Sequence, residues 1–316
     1  MTKPNERHVP VLFDESIDFL RVRPEGTYAD CTVGLAGHSE AILRRLGPKG
    51  HLIGFDRDPE ALALAKVRLG RVLNEMGSEA PAITLIGEAF SSISSHVKPA
   101  SLDGLLADFG VSSLQFDEAH RGFSFQADGP LDMRMDTRSG PTAAQVVNEI
   151  SERELADLIY ENGEERRSRT VARAIVRGRP VTTTGQLARI VASVVPPQKH
   201  DKKHRPIHPA TRTFQALRIY VNRELEEIKD LLEAAPQLLK PSARLVVISF
   251  HSLEDRIAKD SLRDGAQKGI WEVLTRKPVT AGEEEADINP RSRSAKLRAA
   301  EKQGTGVRAQ RSGPHS

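Results

Sequence analysis

The sequence predicts an α/β fold, a parallel β-sheet with helices on both faces, whose chain is interrupted by an α-helical insertion. Three observations lead to this prediction. Residues 27–56 have the pattern of a strand, a glycine-bearing turn, a helix and a second strand. Strands continue to alternate with helices up to about residue 116. From there to about residue 205 the periodic segments are all helical, after which the α/β alternation returns.

The first strand–turn–helix–strand unit has the features of a nucleoside half-site. A β-prone run ends at Cys31, and Gly34 and Gly37 then give the turn its backbone freedom. The second strand ends at an acid, Asp56. A glycine turn against a helix start, with a carboxylate about 20 residues later, is typical of a Rossmann-like fold. The turn brings backbone N–H groups close to the ligand, and the carboxylate accepts the hydroxyls of a ribose.

The other elements follow from the spacing of apolar residues along the chain. In the core this spacing predicts helices at 14–20, 59–76, 211–234 and 257–262, and strands at 82–86, 102–108, 244–249, 272–275 and 294–300. In the insertion it predicts helices at 151–160, 167–176 and 185–195, while 277–290 resembles a loop with an acidic cluster. We therefore expect four regions: core 1–116, helical insertion 117–205, core 206–302 and a disordered basic tail 303–316.

Composition narrows the class of protein. A chain of 316 residues corresponds to one large domain or two, and 38% hydrophobic residues suffice for a packed core. The net charge of +3 does not by itself demand a nucleic-acid partner. A single cysteine, Cys31, excludes an intramolecular disulfide and favours a reducing compartment. No apolar run approaches the roughly 18 residues of a membrane span, so we expect a soluble, cytoplasmic protein without a membrane partner.

The turn favours S-adenosylmethionine over a dinucleotide. It lacks the G-x-G-x-x-G pattern that seats a pyrophosphate, which disfavours a nicotinamide dehydrogenase. Phe90 and Asp108 follow later strands, and strand ends of an open α/β sheet meet in one crevice. Asp56 would then hold the ribose, Phe90 would stack on the adenine, and Asp108 would lie near the sulfonium. Taken singly, the glycines could be ordinary loop residues, Asp56 a turn acid and Phe90 a core aromatic.

Several ordered motifs resemble the MraW family of ribosomal RNA small-subunit methyltransferases. The matching segments are His8–Leu12, Asp30–Ser39, Gly54–Pro59, Asp108–Ser113, Arg121–Phe125, Asp128–Met135, His208–Gln215, Ile248–Arg256 and Asn289–Ser294. The resemblance implies S-adenosylmethionine-dependent N4-methylation of one cytosine in the decoding region of 16S rRNA, within the small ribosomal subunit. It also implies a class I Rossmann-like methyltransferase core with an inserted α-helical domain.

Carried over position by position, the resemblance implies a set of cofactor contacts. They fall on Ala36, Gly37, His38, Asp56, Phe90, Asp108 and Gln115. Gly34 joins this set from the turn pattern alone, whereas Gln115 comes from the resemblance alone. Many members read Ser-Pro-Gln where this chain has Leu114 before Gln115.

The acceptor for the target amine is a hypothesis drawn from the chemistry. A cytosine N4 amine is a weak nucleophile, so an enzyme must align it and accept its hydrogen bonds as positive charge develops. Many amino-methyltransferases carry an Asn/Asp-Pro-Pro-aromatic tetrad after the fourth strand, but here the slot reads Asp108-Phe-Gly-Val. We therefore expect Asp108, or the backbone carbonyls just after it, to accept from the amine, with His251 nearby. A structural role for His251 is equally compatible, and no metal is expected.

A basic loop is the strongest candidate for contacting RNA. It contains four cations, Lys199, Lys202, Lys203 and Arg205, against a single acid, Asp201. The arginines scattered over 166–179 are better explained as solvated helix faces, and a soluble tail is the alternative explanation for the cations at 291–298. Phe123 and Phe125 could stack on a splayed base, although core packing explains them equally well.

Two other functions remain open at this point. The same fold could act on a DNA amine or on another RNA. Alternatively, the chain could be an RNA-binding ribosome-assembly factor with a vestigial cofactor site, although Gly37, Asp56 and Asp108 argue against that. No feature of the sequence indicates an oligomeric state.

Overall fold

A seven-stranded sheet forms the core of the protein, whose computed structural model describes residues 10–196 and 208–304. The strands are β1 (Thr27–Asp30), β2 (His51–Phe55), β3 (Ala82–Ile86), β4 (Leu102–Asp108), β5 (Leu239–Ser249), β6 (Trp271–Val273) and β7 (Lys296–Lys302). Their order is β3-β2-β1-β4-β5-β7-β6. β1 to β5 pair in parallel, whereas β7 pairs antiparallel with both β5 and β6. The predicted Rossmann-like α/β fold is confirmed.

Helices cover both faces of this sheet and also form the insertion. They are α1 (Phe13–Leu20), α2 (Gly37–Leu43), α3 (Pro59–Met76), α4 (Ile93–His96), α5 (Ser113–Asp117), α6 (Ala143–Glu149), α7 (Glu152–Gly163), α8 (Ser168–Arg177), α9 (Thr184–Val194), α10 (Thr211–Asn222), α11 (Glu224–Leu238), α12 (Ser252–Gln267) and α13 (Glu283–Ile288). Successive residues of β4 show the two faces directly. Leu105 and Ala107 belong to the apolar cluster under α11 and α12, and Leu106 belongs to the one under α1 to α3.

A third apolar cluster lies in the helical insertion. Side chains such as Leu155 of α7, Val171 of α8 and Leu187 of α9 are fully buried in it. Phe214 and Leu217 of α10 belong to the same cluster, although we placed residues from 206 onwards in the core. Judged by which apolar cluster its side chains pack into, α10 therefore belongs to the insertion.

The long helix expected at 211–234 is two helices, and this part of the prediction is wrong. α10 ends at Asn222, and α11 begins at Glu224. Arg223 between them adopts a left-handed conformation, with φ 50° and ψ 39°. At this break the chain passes from the apolar cluster of the insertion to that of the sheet. The α10 part of the apolar stripe packs into the first cluster, and the α11 part packs into the second.

The two ends of the insertion are joined at Asn222. Its side-chain oxygen accepts from the backbone N–H of Met135 at 2.7 Å, and its amide donates to the carbonyl of Met133 at 2.7 Å. The backbone carbonyl of Asn222 accepts from Arg57, which follows β2, at 2.7 Å. The point where the chain leaves the core is therefore held against the point where it returns.

Four helices lie where no helix was expected, namely α4, α5, α6 and α13. α6 begins at a capping box formed by Thr142 and Gln145, and α13 lies inside the predicted 277–290 loop. None of the helices within the described ranges combines the length and apolar character needed to cross a membrane. The predicted tail beyond residue 304 lies outside the described residues.

Candidate active site

A cleft at the carboxyl edge of the parallel strands brings most of the predicted cofactor residues together. Its lining includes Gly34, Gly37, His38, Asp56, Phe90, Asp108 and Gln115, which come from the loops after four strands, β1 to β4. Ala36 lies just behind the lining and is fully buried, with φ 63°. The structure also lines the cleft with residues that the sequence did not indicate, namely Met135, Glu224, Ile228, Phe250 and Arg291.

The glycine turn is shaped by close backbone approaches. Gly34 has φ 51°, a left-handed conformation that glycine adopts at no steric cost. Its N–H donates to the Asp56 carboxylate at 2.7 Å, so the turn and the strand-end acid hold each other. A Cβ on Gly37 would lie 2.2 Å from Cγ of Pro10, which leaves no room for a side chain.

Asp56 is partly buried and keeps acceptor capacity. One oxygen accepts from Gly34, and the other accepts from the N–H of Asp58 at 2.8 Å. Burial raises the pKa of Asp56 to about 6, although these two hydrogen bonds oppose the shift. Each carboxylate oxygen offers about two lone pairs. The second pair on each is free for a ligand hydroxyl, which is what recognition of a ribose requires.

His38 contributes an unpaired acceptor to the same lining. Burial lowers the pKa of its imidazole to about 4, so the ring is neutral at physiological pH. It bonds to the backbone of Val11 through one nitrogen, while Nε2 is buried and has no hydrogen-bond partner in the described part of the chain. A buried polar atom without a partner is costly. An orphaned nitrogen on a cleft wall therefore fits a site built for a polar ligand.

Asp108 ends β4 at the centre of the cleft. Its N–H donates to Thr32 Oγ1 at 2.7 Å, and its Oδ1 accepts from the N–H of Gly110 at 3.0 Å. Burial raises the pKa of Asp108 to about 7, and the neighbouring carboxylates of Asp30 and Glu254 add to the shift. Near neutral pH both protonation states of Asp108 are therefore populated, so the group can accept or donate a hydrogen bond.

Phe90 has one side in the core and one side on the cleft. Its ring is 9% exposed and packs against Phe109, with the ring centroids 6.1 Å apart. It belongs to the apolar cluster and also lines the cleft. Core packing and adenine stacking are therefore compatible, and adenine stacking stays a prediction.

Gln115 is held by a buried polar network. Its Oε1 accepts from the N–H of Ser112 at 3.1 Å, and its Nε2 donates to Asp58 at 2.8 Å. The same Asp58 oxygen accepts from Arg121 at 2.9 Å, and both partners of this ion pair are almost fully buried. Arg121 also donates to the carbonyls of Arg134 and Met135. The network thus joins the cofactor side of the cleft to the start of the insertion.

His251 lies beside the cleft and is fixed by Glu254. It is the N-cap of α12, and its Nδ1 accepts from the N–H of Glu254 at 3.4 Å. An accepting Nδ1 places the proton of the neutral ring on Nε2. Nε2 lies 3.1 Å from Glu254 Oε1, yet the two atoms are too poorly aligned for a hydrogen bond. This tautomer leaves no lone pair with which His251 could take a proton from an amine.

The same tautomer weighs against a metal at this point. Glu224, His251 and Glu254 bring potential ligand atoms within 4.8 Å of one another. However, Nε2 of His251 carries its proton, and Arg218 hydrogen-bonds both oxygens of Glu224. The cluster is therefore better described as an ion-pair network.

The predicted RNA-binding residues cannot be placed, since Lys199, Lys202, Lys203 and Arg205 lie outside the described residues. The two aromatic candidates are packed. Phe123 is buried, and Phe125 lies 4.8 Å from the ring of Phe214 and 4.6 Å from that of His208. Core packing therefore accounts for both rings.

Sequence reasoning missed Glu224, Arg218 and Phe250. Glu224 is the buried one of three acids in the first turn of its helix, and Phe250 was present in a motif whose histidine drew attention instead. A buried charge cannot be distinguished from a solvated one by helical spacing, because the spacing indicates a face and not what covers it.

The chain matches known proteins over nearly its whole length. The model of the MraW methylase family matches residues 5–303. The chain is 69% identical to ribosomal RNA small subunit methyltransferase H of Acidobacterium capsulatum, over 94% of this chain and 99% of that protein. It is 59% identical to the protein of the same name from Koribacter versatilis, over 93% of both. For the Sorangium cellulosum protein the identity is 49%, over 95% of this chain and 92% of that one. The chain therefore belongs to the MraW methylase family.

Proposed function

We propose that this chain is an S-adenosylmethionine-dependent methyltransferase that modifies the N4 amine of a cytosine in the decoding region of 16S rRNA, within the small ribosomal subunit. Family membership supports the methyl transfer. The shared name of the relatives supports a small-subunit rRNA substrate. The observation that carries the proposal is the convergence of the predicted cofactor residues, from the loops after four strands, on one cleft.

S-adenosylmethionine supplies a methyl group activated by its attachment to a positively charged sulfur. The free lone pairs of Asp56 suit the ribose hydroxyls, and the exposed side of Phe90 suits the adenine. The unpaired Nε2 of His38 offers an acceptor to the polar methionine part, next to the Gly37 backbone. Asp108, when ionised, favours positive charge near the centre of the cleft.

The target amine must be aligned and its hydrogens accepted while positive charge builds up on the nitrogen. We assign one of these hydrogen bonds to Asp108, whose burial and position at the end of β4 suit the role. His251, through its capping box with Glu254, fixes the loop that carries Phe250. Its contribution is thereby to position neighbouring groups.

The RNA is assigned to the side of the cleft formed by the insertion. The cations at 199–205 precede α10 in the sequence and would contact phosphates through an electrostatic, salt-dependent interaction. A substrate of this kind implies action in the cytoplasm, where ribosomal subunits assemble.

Methyl transfer to small ribosomal subunits that lack the modification tests the function. Purified protein and radiolabelled S-adenosylmethionine would be incubated with such subunits, with naked 16S rRNA and with DNA. The proposal expects label in the subunits, at the N4 position of one cytosine when the RNA is digested and analysed by mass spectrometry. Label at another atom, or only in DNA, would overturn the proposal and would assign the chain to a methyltransferase acting on that substrate. An assembly-factor role would instead follow from calorimetry that detects no cofactor binding.

The RNA assignment has its own test. Reversing the charge of Lys202 and Lys203 to glutamate should weaken binding to subunits and flatten its dependence on salt, because fewer counterions are then released. Reversal of Arg153, which is exposed on α7, serves as a control. An unchanged salt slope in the double reversal would refute the assignment.

A further inference from the structure

We propose that Glu224, held by Arg218, is the second acceptor for the exocyclic amine of the target cytosine and completes a base-binding subsite whose stacking platform is Phe250. This inference rests on the proposed function and names residues that neither the motifs nor the cofactor pattern assigned. It concerns the part of the cleft formed by the start of α11 and the end of β5.

Glu224 is unusual among the acids at the start of α11. Its side chain is 6% exposed and lines the cleft, whereas Glu226 in the same turn is exposed. The left-handed Arg223 sets this position, because it turns the chain sharply as it leaves the insertion. An acid that only stabilised the helix start could remain in solvent.

Arg218 holds the Glu224 carboxylate in place. Its Nε lies 2.9 Å from Oε1, and its Nη2 lies 2.8 Å from Oε2. Bidentate pairing of this kind fixes the orientation of a carboxylate as well as its position. A carboxylate accepts about four hydrogen bonds, and in the described part of the chain Arg218 is its only donor. Acceptor sites on Glu224 are therefore free for a ligand.

The neighbouring contacts lead from Glu224 to Phe250. Nη2 of Arg218 lies 4.0 Å from Oε1 of Glu254, and the other oxygen of Glu254 accepts from the N–H of Phe250 at 2.7 Å. The ring of Phe250 in turn covers Gly110, where a Cβ would lie 2.6 Å from the ring and 3.0 Å from Oδ1 of Asp108. An aromatic ring on the cleft wall, next to Asp108 and linked to Glu224, suits a flat base.

The charge balance of this corner suits an amine that becomes positive. Arg218 faces two buried carboxylates, Glu224 and Glu254, so these three side chains together carry an excess negative charge. During the reaction the N4 lone pair forms the bond to the methyl carbon, and the bonding pair of the broken C–S bond returns to sulfur. The nitrogen then carries a positive charge and sheds one proton, which Glu224 accepts and passes to water.

Two acceptors match the two hydrogens of the amine. Asp108 accepts one hydrogen and Glu224 accepts the other, which fixes the orientation of the amine and of its lone pair. A carboxylate that accepts from N4 is also a specific readout of cytosine, because uracil presents a carbonyl oxygen at the same position. Glu224 would therefore contribute to base selection as well as to rate.

The experiment compares Glu224→Gln with Glu226→Gln, which removes an exposed acid from the same helical turn. Single-turnover methyl transfer to unmodified small subunits should fall roughly a hundredfold in Glu224→Gln, as expected for loss of a general base. It should be unchanged in Glu226→Gln. Cofactor affinity, measured by calorimetry, should stay the same in both variants. Glu224→Asp keeps the charge but has a side chain shorter by one methylene. Its single-turnover rate should lie between those of the wild-type protein and Glu224→Gln.

A binding measurement tests the contact between Glu224 and the amine without relying on the rate of methyl transfer. A synthetic RNA fragment would carry either cytosine or pyrimidin-2-one, which lacks the 4-amino group, at the position that the wild-type protein methylates. The wild-type protein should bind the cytosine fragment about a hundredfold more tightly, in line with about tenfold for each of the two hydrogen bonds to the amine. Glu224→Gln should reduce this preference to about tenfold, the share that belongs to Asp108.

The outcomes separate this inference from the proposed function. If the wild-type protein methylates no subunit, the proposed function fails first. If it methylates subunits while Glu224→Gln matches it in rate and in preference for cytosine, only the inference is overturned. The same holds if Glu224→Gln loses thermal stability and rate together but keeps the wild-type preference for cytosine, since that result assigns Glu224 a purely structural role.

Discussion

Replacing Arg121 with methionine should destabilise the protein more than any exposed ion-pair change. The guanidinium bonds Asp58 at 2.9 Å and the carbonyls of Arg134 and Met135 at 3.2 and 3.1 Å, and its side chain is 3% exposed. Methionine keeps most of the length but none of the donors. Asp58 would keep its bonds to Gln115 and to the N–H of Glu60 but would lose its counter-charge.

The expected magnitude follows from the burial of both partners. Breaking a buried ion pair from one side costs about 3–5 kcal/mol, because an uncompensated charge remains. Unfolding entropy near 2.1 cal/mol/K per residue amounts to about 0.7 kcal/mol/K for a chain of 316 residues. The melting temperature of Arg121→Met should therefore fall by about 5–8 °C.

Thermal unfolding followed by calorimetry measures the effect, with two comparison variants. Arg173→Met removes an ion pair with Glu152 in which both side chains are largely exposed, and its melting temperature should move by no more than about 1 °C. Adding Asp58→Asn to Arg121→Met should restore part of the loss, because the stranded charge disappears. The reasoning is refuted if Arg121→Met behaves like Arg173→Met, or if the double variant is no more stable than Arg121→Met.

Three further predictions concern the cleft. Since burial raises the pKa of Asp56 to about 6 and the ionised form is the better acceptor, cofactor affinity should rise with pH through about 6; a flat calorimetric profile from pH 5 to 8 would contradict the assigned contact. Because burial raises the pKa of Asp108 from 3.8 to about 7, the folded protein keeps a proton that the unfolded chain releases. The stability from this group is complete below about pH 4 and is lost as pH rises through about 7, so Asp108→Asn should raise the melting temperature at pH 8 relative to wild type and change it little at pH 4. Gly37→Ala places a Cβ 2.2 Å from Pro10, so we expect a loss of about 1–3 kcal/mol in unfolding free energy and at least tenfold weaker cofactor binding; wild-type values for both would show that the turn can relax.

Local patterns were sufficient to predict the regular core. The helix at 59–76 was predicted with its observed bounds, because its apolar residues are regularly spaced, Asp58 caps it and Gly77 ends it. The strands at 82–86 and 102–108 also match, since each is a short apolar run between polar turns. In such elements the periodicity and the end signals agree.

The break at Arg223 could not be predicted in this way. The apolar spacing continues unchanged from α10 into α11, and an arginine gives no signal for a left-handed conformation, which costs about 1–2 kcal/mol. Only the change of partner, from the cluster of the insertion to that of the sheet, explains it. By contrast, α6 had a usable signal, because Thr142 and Gln145 form a capping box that the sequence already displays.

The residues proposed for the cofactor side of the cleft came largely from the sequence, whereas those proposed for the base side did not. Glycines and strand-end acids have a fixed order along an α/β chain, so their convergence follows from topology. Glu224 and Phe250 converge with them only because the insertion returns at a particular angle. That angle depends on contacts between residues that are distant in the sequence, such as the hydrogen bonds of Asn222 with Met133 and Met135.

The hydrogen bonds of Asn222 attach the helical insertion to the core at one point beside the cleft, and this point can act as a hinge. The buried Arg121 network holds the insertion close to the same point, whereas the contacts of Glu164 with Ser252 and Arg256 are on the surface and can open and close at low cost. A small rotation of the insertion about Asn222 would leave Glu224 almost where it is, because Glu224 lies two positions from Asn222 along the chain. The outer ends of the helices would travel much further. The protein would thus keep its ångström-scale geometry where chemistry needs it and would have its freedom where it meets a large, irregular particle.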